Sequence, residues 1–352
     1  MGEVSILLGA GASRPYQIPT FPEFREASTR ALLGYKNTDL SVIPTIWKGL
    51  YAPFTLEEFY TLVSFQRDVG VHIKVDTIPS LSATDRKCIQ KSRFCRDGTL
   101  DLSALLQGIE RIIPITVFHS ANPEASRCYL EMAKVLSVIR SDKPYKFLDI
   151  ISLNWDTLFE ANMEEEGLYP YYPYLKNIKD RMWVNVIKPH GSLNWDYCDN
   201  PACRKKEVNR RPTQLLPRTE WKAIKCEVCK RENKLLLFPP TLSKLDYGTA
   251  KWFGNVWRQI YEALRWTKYF CVIGYSFPRT DYPLYLTLLN AMRLNNQLER
   301  IDIVNIARNG REEKMKRDYF KSVFKPAGKS SRIKFFLDGF ENYDINMLSS
   351  IL

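Results

Sequence analysis

Four short stretches of this 352-residue chain place small, carboxamide, carboxylate and imidazole side chains where they could meet a ligand: Gly9-Ala10-Gly11-Ala12-Ser13, Asn154-Trp155-Asp156, His190-Gly191-Ser192 and Gly274-Tyr275-Ser276-Phe277. The first follows Val4–Leu8, an unbroken apolar run of the kind that forms a strand buried on both faces. Small residues after such a strand let the backbone turn sharply and bring its N–H groups against an anion, most often a pyrophosphate. The third glycine of the common dinucleotide fingerprint is replaced by Arg14, and a tight turn with no ligand would account for Gly9 and Gly11 equally well. Asp156 is well placed to cap a helix over 157–166, a purely structural use. His190 follows the rigid lead-in Lys188-Pro189, where a general base would need to be held, though a hydrogen-bonded loop histidine is the alternative. Gly274 could equally be a plain turn. The other two histidines, His72 and His119, carry no motif around them.

The eight cysteines divide into two kinds. Cys88, Cys95, Cys128 and Cys271 are scattered, as reduced thiols usually are. Cys198-x4-Cys203 and Cys226-x2-Cys229 form two close pairs separated by 22 residues. Four thiolates so spaced can close a tetrahedral zinc site, and the sequence between the pairs is too poor in apolar residues to fold on a core of its own. Four sulfur ligands leave no open position for water, so such a zinc is structural. Four reduced cysteines in a loop is the bland alternative.

The elements that must position these groups follow from periodicity. Strands are expected at 4–8, 147–153, 183–187, 269–273, 301–305 and 333–337, and 235–238 resumes the apolar pattern. Helices are expected from about 23 and over 56–69, 101–118, 123–140, 156–166, 249–266, 282–295 and 311–323. Thr55-Leu56-Glu57-Glu58 has the form of a capping box. Segments 35–55 and 70–100 read as loop with short helices, and the Tyr/Pro-rich stretch before 183 as loop. Strands alternating with helices imply an α/β protein with a Rossmann-like, doubly wound parallel sheet. That fold would carry a helical insert at about 35–145 and a small four-cysteine zinc-binding module at 195–235. The four stretches then lie at the carboxyl ends of strands, where open α/β sheets bind ligands.

These motifs, in order, resemble those of the sirtuin family, and specifically its divergent prokaryotic branch of NAD-hydrolysing defence proteins. Gly9–Ser13 with Ile18-Pro19-Thr20-Phe21 is similar to the sirtuin phosphate loop and its Gly-Ile-Pro-Asp-Phe-Arg continuation. Asn154-Trp155-Asp156 resembles the family's Asn-x-Asp, His190-Gly191 its His-Gly, Gly274-Tyr275-Ser276 its Gly-Thr-Ser, and Ile303-Val304-Asn305 its Ile-Asn. The resemblance spans most of the chain outside the insert. It implies NAD+ as substrate, with Gly9, Ala10, Gly11, Ala12 and Ser13 on the pyrophosphate. Asn154 and Asp156 would lie beside the nicotinamide and its ribose, and His190 would act on the ribose hydroxyls or on water. Ser276 and Asn305 would contact the adenosine half, and Gly274 belongs to the same cofactor-binding set. A four-cysteine zinc module also stands at this point of the family's fold. Leu153 replaces the family's Gln and Thr20 its Asp, and either Arg14 or Arg25 would face the phosphates. Where deacylating members carry a Phe-Gly-Glu strand that pairs with an acyl-lysine peptide, this chain has Phe238-Pro239-Pro240-Thr241. Two prolines remove the main-chain donors that pairing needs.

The reading is therefore an NAD+ hydrolase releasing nicotinamide and ADP-ribose, acting as an antiphage effector. Its alternatives are an NAD-dependent lysine deacylase and a non-catalytic NAD or ADP-ribose sensor. No bilayer-length apolar run and no basic-then-apolar leader are found, so a cytoplasmic protein is expected and no membrane partner. The formal charge of +12, from 51 basic and 39 acidic residues, concentrates at 204–234 and 308–334 without a recognisable nucleic-acid module. A solvated surface is the first reading, and direct nucleic-acid binding is left open. No sensor domain accompanies the fold, so a trigger is expected from self-assembly or from a separate activator such as a DNA-associated ATPase.

Overall fold

The computed structural model describes residues 2–33, 39–142, 147–173, 175, 183–204, 208–210, 225–238, 250–278 and 281–348. In chain order the strands are β1 (Gly2–Leu8), β2 (Cys95–Arg96), β3 (Thr99–Leu100), β4 (Phe147–Ser152), β5 (Tyr169–Tyr171), β6 (Trp183–Ile187), β7 (Gly191–Tyr197), β8 (Asn209–Arg210), β9 (Lys234–Leu237), β10 (Tyr269–Ile273), β11 (Arg300–Val304) and β12 (Ile333–Phe336). Seven of them form one sheet in the order β12-β11-β10-β1-β4-β6-β5, and every pairing in it is parallel. The chain builds outward from β1 on the β4 side, then crosses back to lay β10, β11 and β12 on the other. The connections therefore diverge beside β1, which opens a crevice at its carboxyl end.

Strand β1 shows why the apolar runs are continuous. Val4, Ile6 and Leu8 face one core with the helices of the 24–142 region, while Leu7 faces a second core. That second core is built with Val256 and Ile260, Leu284 and Leu288, and Phe320 and Phe324, each pair from a different helix. Strand β10 splits in the same way, Cys271 and Ile273 to one side and Phe270 and Val272 to the other. A strand covered on both faces needs apolar side chains at both parities.

On the first face, helices Phe24–Leu33, Val42–Tyr51, Leu56–Asp68, Ala83–Lys91, Leu102–Ser120 and Cys128–Asp142 follow one another. The expected capping box forms, with Thr55 N–H donating to Glu58 at 2.8 Å and Thr55 Oγ1 accepting from Glu58 N–H at 3.4 Å. On the second face run helices Ala250–Trp266, Tyr282–Leu294 and Gly310–Phe324. The basic residues of the last are in part paired along the helix, Lys316 with Glu312 and Arg317 with Glu313, which fits a solvated face.

One local expectation is corrected and one strand is added. The Tyr/Pro-rich stretch is not all loop: Tyr169–Tyr171 is the edge strand β5, where Pro170 is tolerated because only one side must pair. Residues from Gly191 onward form β7, which pairs antiparallel with β8 and β9 in a separate three-stranded sheet. Its Trp195, with Leu236 to Phe238, packs in the main core. Gly191 (φ +79°) is required there, since a Cβ would lie 1.9 Å from the Leu236 carbonyl oxygen.

Candidate functional site

The loops after β1, β4, β6 and β10 emerge at one edge of the sheet, because Leu8 pairs with Ser152 and Ile273, and Ile151 with Ile187. The glycine loop lies directly on the β10 turn. Gly9 and Gly11 donate N–H bonds to the Ile273 and Gly274 carbonyls at 2.9 and 2.8 Å. A Cβ on Gly11 would come within 2.8 Å of the Gly274 oxygen, and one on Gly274 (φ +64°) within 2.1 Å of Ala12 nitrogen. Both glycines and Gly274 are thus accounted for by two backbones in contact, the steric reason weighed from sequence. The loop nonetheless ends in a one-turn helix, Ala10–Ser13, at the head of the crevice.

Ser13 is the hub of a buried hydrogen-bond circuit. Its Oγ donates to Asp156 Oδ2 at 2.8 Å and shares a 2.8 Å bond with the Tyr129 hydroxyl. Asn154 Nδ2 donates to Gly9 O and Ser13 Oγ, both at 3.0 Å, and approaches Tyr129 Oη at 3.3 Å. Asp156 Oδ1 accepts from Leu158 N–H at 3.1 Å, so this carboxyl serves the helix start and the circuit together. Burial pushes its pKa up, against the opposing pull of Lys188. Lys188 is fully buried and donates to Asp156 O at 2.7 Å and to Glu160 at 2.6 Å. Ala10, Ser13, Asn154 and Asp156 line a small cavity of about 30 Å³ otherwise walled by Ile18, Pro19, Phe21, Phe24, Val117, Leu153 and Trp155. That is room for roughly one water molecule.

His190, after β6, is buried. Its backbone carbonyl accepts from Trp155 Nε1 at 3.0 Å and from Phe238 N–H at 2.8 Å. Its ring Nε2 lies 3.1 Å from Asp281 Oδ2, and the Tyr275 hydroxyl donates to that same oxygen at 2.8 Å.

The remaining residues singled out in the sequence lie elsewhere on this edge. Arg14 pairs with Glu23 at 2.9 Å, and Arg25 donates to the Ala52 carbonyl. Ser276 is exposed beside Tyr275. Asn305 Nδ2 donates to the Tyr275 carbonyl at 3.4 Å, and its Oδ1 accepts from Lys316 at 3.0 Å, so it braces the β10 turn. Pro239, Pro240 and Thr241 lie outside the described residues. Tyr129, Glu160 and Asp281 were not legible as site residues, and Tyr275 was singled out only as part of its motif. Only Asp281, opening a helix beside the Gly-Tyr-Ser motif, carried a weak signal.

Cys198, Cys203, Cys226 and Cys229 converge, all four sulfurs within 4.8 Å of one another. Sγ–Sγ distances of 3.4 Å (Cys198–Cys229) and 3.8 Å (Cys203–Cys226) are far longer than a disulfide. They match the roughly 3.8 Å edge of a tetrahedron with Zn–S bonds of about 2.3 Å. The Arg231 N–H holds the Cys229 thiol down at about 6, whereas burial and the three neighbouring sulfurs push Cys198 up to about 12. The donor set fits a structural zinc, with all four positions taken by sulfur.

No family model matches this chain, and no curated protein matches it. Among solved structures it is similar to a Sir2 homologue in complex with NAD, at 15% identity over 99% of this chain and 88% of that one, with a TM-score of 0.44. It is also similar to a mutant Sir2 homologue in complex with ADP-ribose, at 14% identity over 99% and 90% of the two chains, with a TM-score of 0.42.

Proposed function

We propose that this chain hydrolyses NAD+ to nicotinamide and ADP-ribose, as a zinc-stapled member of the NAD-hydrolysing, sirtuin-like proteins, and that it acts as an antiphage effector. The supporting observation is the buried Ser13–Asn154–Asp156 circuit at the carboxyl end of β1 and β4, beside the crossover of the sheet. Residues 1–352 act as one NAD-binding unit in this reading, with 35–145 as its helical insert and 195–235 as its zinc-binding module.

Cleavage breaks the C1′–N bond of NAD+. The bond pair leaves on the nicotinamide nitrogen, neutralising it, and passes the positive charge to the ribose. The Asn154 carboxamide and Asp156 carboxyl, held by Ser13, border the cavity in which that cation-like ribose is stabilised. His190 accepts the proton of the incoming water as its oxygen bonds to C1′. Gly9–Ser13, with Arg14 or Arg25, takes the pyrophosphate, while Ser276 and Asn305, beside Gly274, take the adenosine half.

Mass-resolved product analysis with NAD+, with and without an acetyl-lysine peptide, tests the reading alongside Asn154→Ala and His190→Ala. Peptide-independent ADP-ribose, lost in both variants, is the expected result. O-acetyl-ADP-ribose formed only with peptide would make the chain a deacylase, and NAD+ bound but left intact even by the assembled, activated protein would make it a sensor. A free hydrolase would exhaust its host's NAD+, so activity awaits self-assembly or an activator such as a DNA-associated ATPase. Full-rate hydrolysis by the purified monomer would refute that regulation.

A further inference from the structure

We propose that Asp281, backed by Tyr275, is the positioning carboxylate of His190, holding the imidazole in the tautomer whose proton is on Nε2 and whose lone pair is on Nδ1. Asp281 Oδ2 lies 3.1 Å from Nε2, and an ionised carboxylate only accepts hydrogen bonds, so the ring nitrogen facing it carries the hydrogen. Two features hold that carboxylate in place, and a third fixes the histidine. The Tyr275 hydroxyl donates to the same oxygen at 2.8 Å, and burial pushes the Tyr275 phenol well above its ordinary value, so it stays a donor. Asp281 is the N-cap residue of the 13-residue helix Tyr282–Leu294, where the positive end of the helix dipole favours an anion. The His190 backbone is fixed independently, by the bonds from Trp155 and Phe238 to its carbonyl.

Tyr275 links this pair to the glycine loop, since its Cβ packs so closely on Gly9 that a Cβ there would approach within 2.6 Å. Base, carboxylate and loop are thereby one rigid assembly drawn from β6, β10 and β1. The catalytic consequence rests on the hydrolase reading. Nδ1 takes the proton of the attacking water as its oxygen bonds to C1′ and the C1′–N pair departs on nicotinamide. The imidazolium so formed is stabilised by Asp281 until its proton passes to solvent.

The test needs no substrate. The chain has three histidines, and His72 and His119 are exposed, so in a ¹⁵N-labelled full-length protein with both replaced by Gln the remaining imidazole is His190. Long-range ¹H–¹⁵N spectra, recorded on the alkaline side of its titration, should show a protonated Nε2 and an unprotonated Nδ1, and Asp281→Ala should mix the two tautomers. A proton on Nδ1 in the protein with Asp281 intact, a ring that stays doubly protonated to alkaline pH, or an Asp281→Ala spectrum identical to it would each overturn the proposal. The first two outcomes do not depend on any Asp281 variant folding. In turnover, Asp281→Asn should lower kcat on the order of 10²-fold, and Tyr275→Phe less, with KM for NAD+ within about twofold. An Nε2–H tautomer in a protein that never hydrolyses NAD+ would leave the pair standing and refute the hydrolase instead.

Discussion

Asp156 sits where three demands meet: Ser13 donates to one oxygen, the Leu158 N–H to the other, and Lys188 lies behind. Burial still wins and raises its pKa above the ordinary 3.8. The folded chain therefore keeps a proton that the unfolded chain loses near that value, so this residue's contribution to stability falls as pH rises from about 3.8 through the folded pKa. Asp156→Asn removes the titration, and its stability relative to the parent should be higher at about pH 7 than at about pH 4 in urea unfolding. Parallel profiles would show that the carboxyl ionises at its ordinary pH. Asp149 and Glu110, which burial also raises, are common to both proteins and cancel.

At the scale of elements, two contacts decide whether the site exists. The glycine loop and the β10 turn meet backbone to backbone. Gly274→Ala would place a methyl 2.1 Å from Ala12 nitrogen at a positive φ. It should cost at least about 1–3 kcal/mol in denaturant melts and disturb the Ser13 circuit with it. An unshifted midpoint would mean the loops can part. The cysteine module is the second contact. Chelation, or Cys226→Ser, should release one zinc per chain and speed amide exchange over 225–238 and 196–204, with β1, β4 and β10 still protected. Metal analysis finding no zinc in the purified protein would remove this role.

For the whole molecule, the Ser13 circuit borders a narrow pocket of about 30 Å³. Its outer wall is Ile18–Phe24, where Phe21 meets Trp155 edge-on at 5.6 Å. A nucleotide entering this crevice would meet that wall first. Hydrogen exchange on adding ADP-ribose should change over 18–24 more than over β1 or β4. An unaltered 18–24 segment with changes elsewhere would place nucleotide binding outside this crevice. No helix among the described residues is long and apolar enough to cross a membrane.

The local sequence determined the parallel sheet and most of its helices, because strands buried on both faces must be apolar at both parities and their covering helices must repeat every 3–4 residues. It also determined the four cysteines, since thiolates in close pairs have few other uses. It did not reveal β5, because a proline in a short edge strand reads as a loop. Nor did it reveal how the motifs join. Tyr129 reaches Ser13 across 116 residues, and Asp281 reaches His190 across 91. Tyr129 has no neighbour in sequence that signals its task, and Asp281 has only its place at a helix start beside Gly274-Tyr275-Ser276. Such partners are chosen by which loops the crossover beside β1 brings to one edge, and by burial that leaves a polar group only those partners to bond. Only the tertiary structure could decide them.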